Sequence, residues 1–148
     1  MTLIRLDNQE NLSNNPCIFS DIDNNDEIMT FTALIIEDDA TLADFFSEAL
    51  KAVDIESEII YDGQVALDTL AESSPRIILL DLHLPNISGL KIVEQVRSLD
   101  HLVNTRIIVT TGDPRLADEV REKVDLVLDK PVGFEQLGLL CARMCQTD

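Results

Sequence analysis

The feature that most constrains the fold is a set of five short apolar runs that end in polar or charged residues. The run at residues 76–81 reads Arg-Ile-Ile-Leu-Leu-Asp, and its four central residues are all large and aliphatic. A strand without polar alternation is buried on both faces, which is typical of a parallel sheet covered by helices. The other four runs lie at residues 33–36, 58–61, 106–111 and 125–128.

Between these runs, apolar residues recur at helical spacing. The clearest stretch follows the first run and contains Leu42, Phe45, Phe46, Ala49, Leu50 and Val53. Similar patterns follow each of the other runs, so five strands alternate with five helices. This alternation needs crossover connections, and it predicts an α/β fold with a doubly wound, five-stranded parallel sheet flanked by helices.

Polar residues follow the strands at the points where each strand ends. Asp38 and Asp39 follow the first strand, and Asp81 ends the third. Thr111 ends the fourth strand, and Lys130 follows the fifth. Because ligand sites in such folds lie at the carboxyl ends of the strands, we expect these five residues to converge at one edge of the sheet.

The chemistry of such an edge is restricted by charge. Three carboxylates held close together repel one another unless a cation lies between them. Oxygen-only ligands favour Mg²⁺, which also accepts a phosphate oxygen. An aspartate can act as a nucleophile and form an acyl phosphate. Mg²⁺ and a lysine ammonium would offset charge on the transferred group, and a threonine hydroxyl would bond one of its oxygens.

Each of these residues also has a plainer interpretation. Asp38 or Asp39 would complement the dipole at the start of a helix. Asp81 fits a turn, and so do Thr111 and Lys130. Chance capping and turns do not account for a threonine and a lysine on the two remaining strands. The joint placement therefore favours the functional interpretation.

The same residues carry a family resemblance. The chain resembles the receiver domain of two-component response regulators, a flavodoxin-like fold, from about Ala33 to Met144. The matching pieces are Leu34-Ile35-Ile36-Glu37-Asp38-Asp39, then Asp81-Leu82-His83-Leu84-Pro85-Asn86-Ile87-Ser88-Gly89, then Ile108-Val109-Thr110-Thr111-Gly112, and then Lys130-Pro131. As an ordered set, these motifs are highly specific.

The resemblance implies a role for each residue of the acidic edge. Asp81 is implied to be the phosphoacceptor, and Asp38 and Asp39 to be the acidic pair that serves Mg²⁺. The backbone carbonyl of His83, two residues after Asp81, would be a further metal ligand.

The resemblance also implies a switch. Thr111 aligns with the switch hydroxyl because it directly precedes the small Gly112, and Lys130 matches the lysine that contacts the acidic site and the phosphoryl group. The chain departs from the family at Val127, where a tyrosine or phenylalanine is usual. Val127 cannot reproduce the inward swing of that ring, although phosphorylation itself does not need the ring.

The function implied is that of a stand-alone receiver. It would take a phosphoryl group on Asp81 from a histidine kinase or a histidine phosphotransfer protein. Because the last predicted helix ends near the end of the chain, we expect output through contact with a downstream protein target. A second copy of this chain, forming a homodimer, is a further candidate partner. We expect a signalling domain that gains and loses its own phosphoryl group, rather than a metabolic enzyme.

Two other functions remain open. The first is a phosphorylation-independent, receiver-like binding module, to which Val127 and the N-terminal extension give weight. The second is a phosphatase with an aspartate nucleophile. Such enzymes carry a second aspartate two residues after the nucleophile, and His83 stands there instead, which disfavours this interpretation.

Composition restricts the classes of binding partner and the cellular location that we expect. The net charge of -17 repels phosphate backbones and anionic membrane surfaces, so no direct nucleic-acid or membrane binding is expected. The sequence shows no signal peptide and no long apolar stretch, which predicts a cytoplasmic protein. Residues 1–32 are rich in Asn and acidic residues and predict a mostly disordered extension. Residues 33–146 are expected to form the receiver domain.

Overall fold

The computed structural model describes residues 32–146, in which strands and helices alternate. The strands are β1 (Ala33–Ile36), β2 (Ser57–Ile60), β3 (Ile77–Asp81), β4 (Arg106–Thr111) and β5 (Leu126–Asp129). The helices are α1 (Ala40–Lys51), α2 (Gly63–Ala71), α3 (Gly89–Ser98), α4 (Pro114–Val120) and α5 (Phe134–Gln146), with a short 3₁₀ helix at Asp100–Leu102. These bounds differ from those expected by one residue at several strand ends.

The five strands form one parallel sheet in the order β2-β1-β3-β4-β5. The predicted doubly wound parallel sheet with five flanking helices is therefore confirmed. β1 and β3 lie in the middle of the sheet and are buried along their whole length. Their burial on both faces explains why their sequences are continuously apolar.

The apolar side chains form one core on each face of the sheet. On one face, α1 and α5 pack against alternate strand residues such as Ile35, Leu79 and Ile108. On the other face, α2, α3 and α4 pack against the residues between them, such as Leu80 and Val109. Because side chains alternate along a strand, the two clusters show on which face each strand residue lies.

Polar side chains start four of the helices. Asp39, Asp62, Ser88 and Asp113 each have an extended backbone and accept a hydrogen bond from an amide in the first turn of α1, α2, α3 and α4, respectively. Such N-caps satisfy amide groups that have no partner within the helix. The start of each of these four helices is therefore encoded locally.

An arginine closes the opposite edge of the sheet, where the strands begin. The guanidinium of Arg97, at the end of α3, donates to the carbonyls of Lys123 (2.9 Å) and Thr105 (3.0 Å). It also donates to Asp125 Oδ2 at 3.0 Å, and that oxygen accepts the Ile107 amide at 2.8 Å. One side chain thus ties α3 to the starts of β4 and β5.

The predicted disordered extension, residues 1–32, lies outside the described residues except for Thr32. The amide of Thr32 donates to the carbonyl of Glu56 at 3.0 Å, which joins it to the start of the sheet. Across residues 32–146, every helix is too short or too polar to cross a bilayer.

Candidate functional site

The carboxyl ends of β1, β3 and β5 bring acidic and basic side chains together at one edge of the sheet. Asp81 is the last residue of β3 and is 4% exposed, and Glu37 directly follows β1 and is 1% exposed. Lys130 directly follows β5, and its Nζ lies 3.3 Å from Glu37 Oε2 and 3.4 Å from Asp81 Oδ1. A single ammonium group therefore contacts two buried carboxylates.

The alternation of side chains explains this meeting. Asp81 lies two residues after Leu79, and Lys130 lies two residues after Leu128. Leu79 and Leu128 both belong to the core on the α1 and α5 face, so the side chains that continue past them emerge on that same face. Glu37 follows Ile35 of this core by the same spacing.

Three carboxylates offer oxygen atoms to a cation at this edge. Glu37, Asp38 and Asp81 each present one oxygen, and these atoms all lie within 4.8 Å of one another. Oxygen-only ligands at such separations suit a hard divalent cation better than a transition metal. The donor set therefore fits the Mg²⁺ expected from the sequence.

The environment of Glu37 changes its ionisation. Burial, and then the negative charge of Asp81, raise the pKa of Glu37 from its ordinary value of 4.5 to about 7, although Lys130 acts in the opposite direction. The positive charge of Lys130 is therefore too small to keep Glu37 ionised against burial and the charge of Asp81. A bound divalent cation would supply the missing charge.

Asp39 has a structural role at the start of α1. Asp39 is the N-cap of α1, and its Oδ1 accepts the amide of Leu42 at 3.1 Å. Its own amide donates to Glu37 Oε1 at 3.3 Å. Glu37, and not Asp39, joins Asp38 and Asp81 in the carboxylate cluster. The structure thus shows Asp39 in the helix-capping role that the sequence also allowed.

The sequence carries a signal for the position of Glu37. Glu37 follows the apolar run at residues 33–36 without a break, so the alternation of the strand extends to it. That alternation places Glu37 on the face of Ile35. Asp39 lies beyond the strand, where the chain turns into α1. A metal role for Asp39 stays a prediction.

Thr111 lies at the same edge but on the other face of the sheet. It is buried, and its Oγ1 accepts the amide of Asp113 at 3.0 Å. It is one residue past Thr110, which is paired in register with Asp81. A hydroxyl that accepts one hydrogen bond keeps its proton available to donate.

His83 and Val127 are the two remaining residues singled out by the sequence. The amide of His83 donates to Asp81 Oδ1 at 3.1 Å, whereas its exposed ring lies 4.0 Å from Asp113 Oδ2. The metal role of the His83 carbonyl stays a prediction. Val127 is half-buried, pairs in register with Val109, and packs on the face covered by α2, α3 and α4.

Comparisons with known proteins agree with this geometry. The family model of the response regulator receiver domain matches residues 33–140. The response regulator ArlR of Staphylococcus saprophyticus is 36% identical over 107 residues, which are 70% of this chain and 47% of ArlR. The chain therefore spans less than half of that relative.

A shorter relative and a solved structure match as well. The polar-differentiation response regulator DivK of Brucella ovis is 28% identical over 108 residues, which are 71% of this chain and 88% of DivK. The CheY-like receiver domain from Methylobacillus flagellatus superposes with a TM-score of 0.70 at 28% identity, covering 77% of this chain and 98% of that one. Since the family match begins with β1 and extends into α5, this chain belongs to the response regulator receiver family.

Proposed function

We propose that this domain accepts a phosphoryl group on Asp81 from a phosphohistidine of a histidine kinase or a histidine phosphotransfer protein. The observation that carries the proposal is the position of Asp81. Its carboxylate is buried, lies 3.4 Å from the Lys130 ammonium, and shares a cluster with Glu37 and Asp38. A nucleophile beside fixed positive charge and candidate metal ligands suits phosphoryl transfer, which depends mainly on positioning and electrostatics.

The transfer step breaks one bond and forms one. An Asp81 carboxylate oxygen attacks the phosphorus atom, the phosphorus–nitrogen bond breaks, and its electron pair stays on the imidazole nitrogen of the donor. The product on this chain is an acyl phosphate. Attack of water on the phosphorus later breaks the bond to Asp81, releases inorganic phosphate and restores the carboxylate. The domain is thus a signalling protein that resets itself.

Mg²⁺ is the cofactor that the donor set supports. Glu37, Asp38 and Asp81 would hold it through carboxylate oxygens, together with the backbone carbonyl of His83. When bound, Mg²⁺ offsets negative charge on the transferred group. Asp39 is a further candidate ligand, although its Oδ1 already accepts a hydrogen bond from the Leu42 amide.

Lys130 and Thr111 would respond to the phosphoryl group. Lys130 already lies within reach of Asp81, so its ammonium can turn from Glu37 to a phosphoryl oxygen with little movement. Thr111 would donate its hydroxyl proton to another phosphoryl oxygen, which pulls the loop after β4 towards Asp81. The output is a change in the surface offered to a downstream protein, because a net charge of -17 disfavours nucleic acid as the target.

Labelling by acetyl phosphate tests this proposal. With Mg²⁺ present, we expect the wild-type chain to gain one phosphoryl group by intact-protein mass spectrometry and Asp81→Asn to gain none. Asp68→Asn is a matched control, since Asp68 is an exposed aspartate of α2. Stoichiometric labelling of Asp81→Asn would remove Asp81 from this role.

A second candidate function is a binding module that does not depend on phosphorylation, and Val127 favours it. The aliphatic side chain at this position lacks the ring that usually couples the switch to the surface. Titration with Mg²⁺ and beryllofluoride, followed by NMR, separates the two functions. A phosphorylatable receiver gives saturable shifts around Asp81 and Thr111, and a silent one gives none.

A further inference from the structure

β4 ends in two consecutive threonines whose hydroxyl groups have different surroundings. The hydroxyl of Thr111 accepts the amide of Asp113. Thr110 is completely buried, and within residues 32–146 its Oγ1 has no hydrogen-bond partner. Buried hydroxyl groups are nearly always paired, because burial removes their water without compensation. An unpaired one therefore calls for an explanation.

The register of the sheet places Thr110 directly beside the phosphoacceptor. Thr110 pairs with Asp81 of β3 on one side and with Leu128 of β5 on the other. The residues two positions earlier, Leu79 and Ile108, share the core under α1 and α5. By alternation, Asp81 and Thr110 both project from that same face, where the Asp81 carboxylate meets Lys130.

Lys130 must cross β4 to reach its carboxylate partners. Its backbone amide donates to the carbonyl of Thr111 at 3.0 Å, so the lysine starts next to the end of β4. Its Nζ lies beside Asp81 and Glu37, beyond β4 in the sheet order. The side chain therefore crosses the end of β4 on the face of Thr110. An ammonium has three donors, and the structure shows one hydrogen bond, to Glu37 Oε2, beside the ion pair with Asp81, so a donor remains free.

We propose that Thr110 is a positioning residue for Lys130, and that its hydroxyl accepts a hydrogen bond from the ammonium during transfer of the phosphoryl group to Asp81 and after it. This inference rests on the proposed function. Phosphorylation moves negative charge from the Asp81 carboxylate to the phosphoryl oxygens and draws Lys130 away from Glu37. The ammonium then turns a free donor towards β4, where the Thr110 hydroxyl lies.

This arrangement would bias the domain towards its phosphorylated state. The Thr110 hydroxyl is unpaired before transfer, and it is paired in the transition state and after transfer, so the same hydrogen bond also speeds labelling. A group that gains a partner in only one of two states shifts the equilibrium towards that state. A valine has nearly the same shape as threonine and no hydroxyl, so Thr110→Val removes the bias without opening a cavity. Thr110→Ser keeps the hydroxyl and loses only a methyl group.

The test compares labelling rates and thermal stability. We expect Thr110→Val to raise the melting temperature of the unphosphorylated protein and to slow labelling by acetyl phosphate and Mg²⁺ about tenfold, a factor that fits one hydrogen bond to a charged group. Thr110→Ser should label within about twofold of wild type. If Thr110→Val folds poorly, the labelling rates of Thr110→Ala and Thr110→Ser are compared instead, because these two variants also differ in the hydroxyl group.

Thr105→Val is a matched control on the same polypeptide stretch. Thr105 is buried at the opposite edge of the sheet, and its hydroxyl donates to the carbonyl of Pro75 at 2.8 Å. This variant should lose stability and label at the wild-type rate.

Three outcomes would overturn the role of Thr110. Labelling of Thr110→Val at the wild-type rate excludes a contribution from the hydroxyl. Equal slowing in Thr110→Val and Thr110→Ser assigns the effect to packing instead. Absence of label on both the wild type and Thr105→Val would overturn the proposed function, and this inference with it.

Discussion

At the scale of the residue, the site depends on the balance between buried carboxylates and one ammonium group. Lys130 contacts both Glu37 and Asp81, yet the pKa of Glu37 is still raised to about 7. One positive charge is therefore too little for the carboxylates gathered here. A divalent cation would supply the charge that this site lacks.

The raised pKa of Glu37 predicts a pH dependence of stability. The folded protein keeps a proton on Glu37 that the unfolded chain releases, since the pKa is about 7 in one state and 4.5 in the other. The favourable contribution is complete below pH 4.5 and is lost as the pH rises through 7. With EDTA present, the free energy of unfolding should therefore fall between about pH 5 and about pH 8.

Urea unfolding at a series of pH values measures this effect. Glu37→Gln should give a flatter profile because glutamine does not titrate. Saturating Mg²⁺ should also reduce the slope of the wild-type profile, since a cation favours the charged carboxylate. Equal slopes in the wild type and Glu37→Gln would show that another group is responsible.

At the scale of the element, the start of α1 separates two acidic residues that are close in sequence. The chain leaves β1 at Glu37 with the alternation of a strand and enters α1 with Asp39 as its N-cap. The cap holds the Asp39 carboxylate on the Leu42 amide. The junction therefore brings Glu37 into the carboxylate cluster, whereas Asp39 caps the helix.

This division predicts that one substitution lowers stability and that another lowers Mg²⁺ affinity. Asp39→Ala should lower the free energy of unfolding by about 0.5–2 kcal/mol, the usual loss for an N-cap, and leave Mg²⁺ affinity nearly unchanged. Glu37→Gln should weaken Mg²⁺ binding roughly tenfold or more, which is about 1.4 kcal/mol. Thermal unfolding and isothermal titration calorimetry measure the two quantities.

Asp39→Asn is the control for charge at this position. Asparagine caps a helix as well as aspartate does, so this variant should keep both stability and Mg²⁺ affinity. Loss of Mg²⁺ affinity in Asp39→Asn, with Glu37→Gln unaffected, would assign the metal role to Asp39 and exclude Glu37.

At the scale of the whole molecule, acidic residues greatly outnumber basic ones, and two of the basic residues hold opposite edges of the sheet. The net charge is -17, and only 11 basic residues oppose 28 acidic ones. Lys130 is used at the carboxyl edge of the sheet, and Arg97 ties α3 to β4 and β5 at the other. The remaining acidic surface repels itself and weakens the folded state.

The excess charge predicts that salt stabilises the protein. Raising sodium chloride from about 0.01 M to about 1 M shortens the screening length from about 30 Å to about 3 Å. We expect the urea midpoint to rise as this repulsion is screened. Tetramethylammonium chloride should act similarly, which would exclude specific binding of sodium. A midpoint that falls with salt would show that attractive ion pairs outweigh the repulsion.

Much of this architecture could be predicted from local sequence patterns. The apolar runs and the helical spacing between them encode which segments are strands and helices, because burial has a period of two in a strand and 3.6 in a helix. Parallel pairing then placed Asp81, Thr111 and Lys130 at one edge, since all strands of such a sheet end on the same side.

The tertiary structure decided what local patterns leave open. Three consecutive acidic residues follow Ile36, and the rotation of the chain between β1 and α1 determines that Glu37 joins Asp38 and Asp81 while Asp39 caps the helix. The register of β3 against β4 sets the buried hydroxyl of Thr110 beside Asp81. That register, and the meeting of Glu37 with Asp81, depend on contacts between segments that are distant in the chain, and no period within a single segment encodes those contacts.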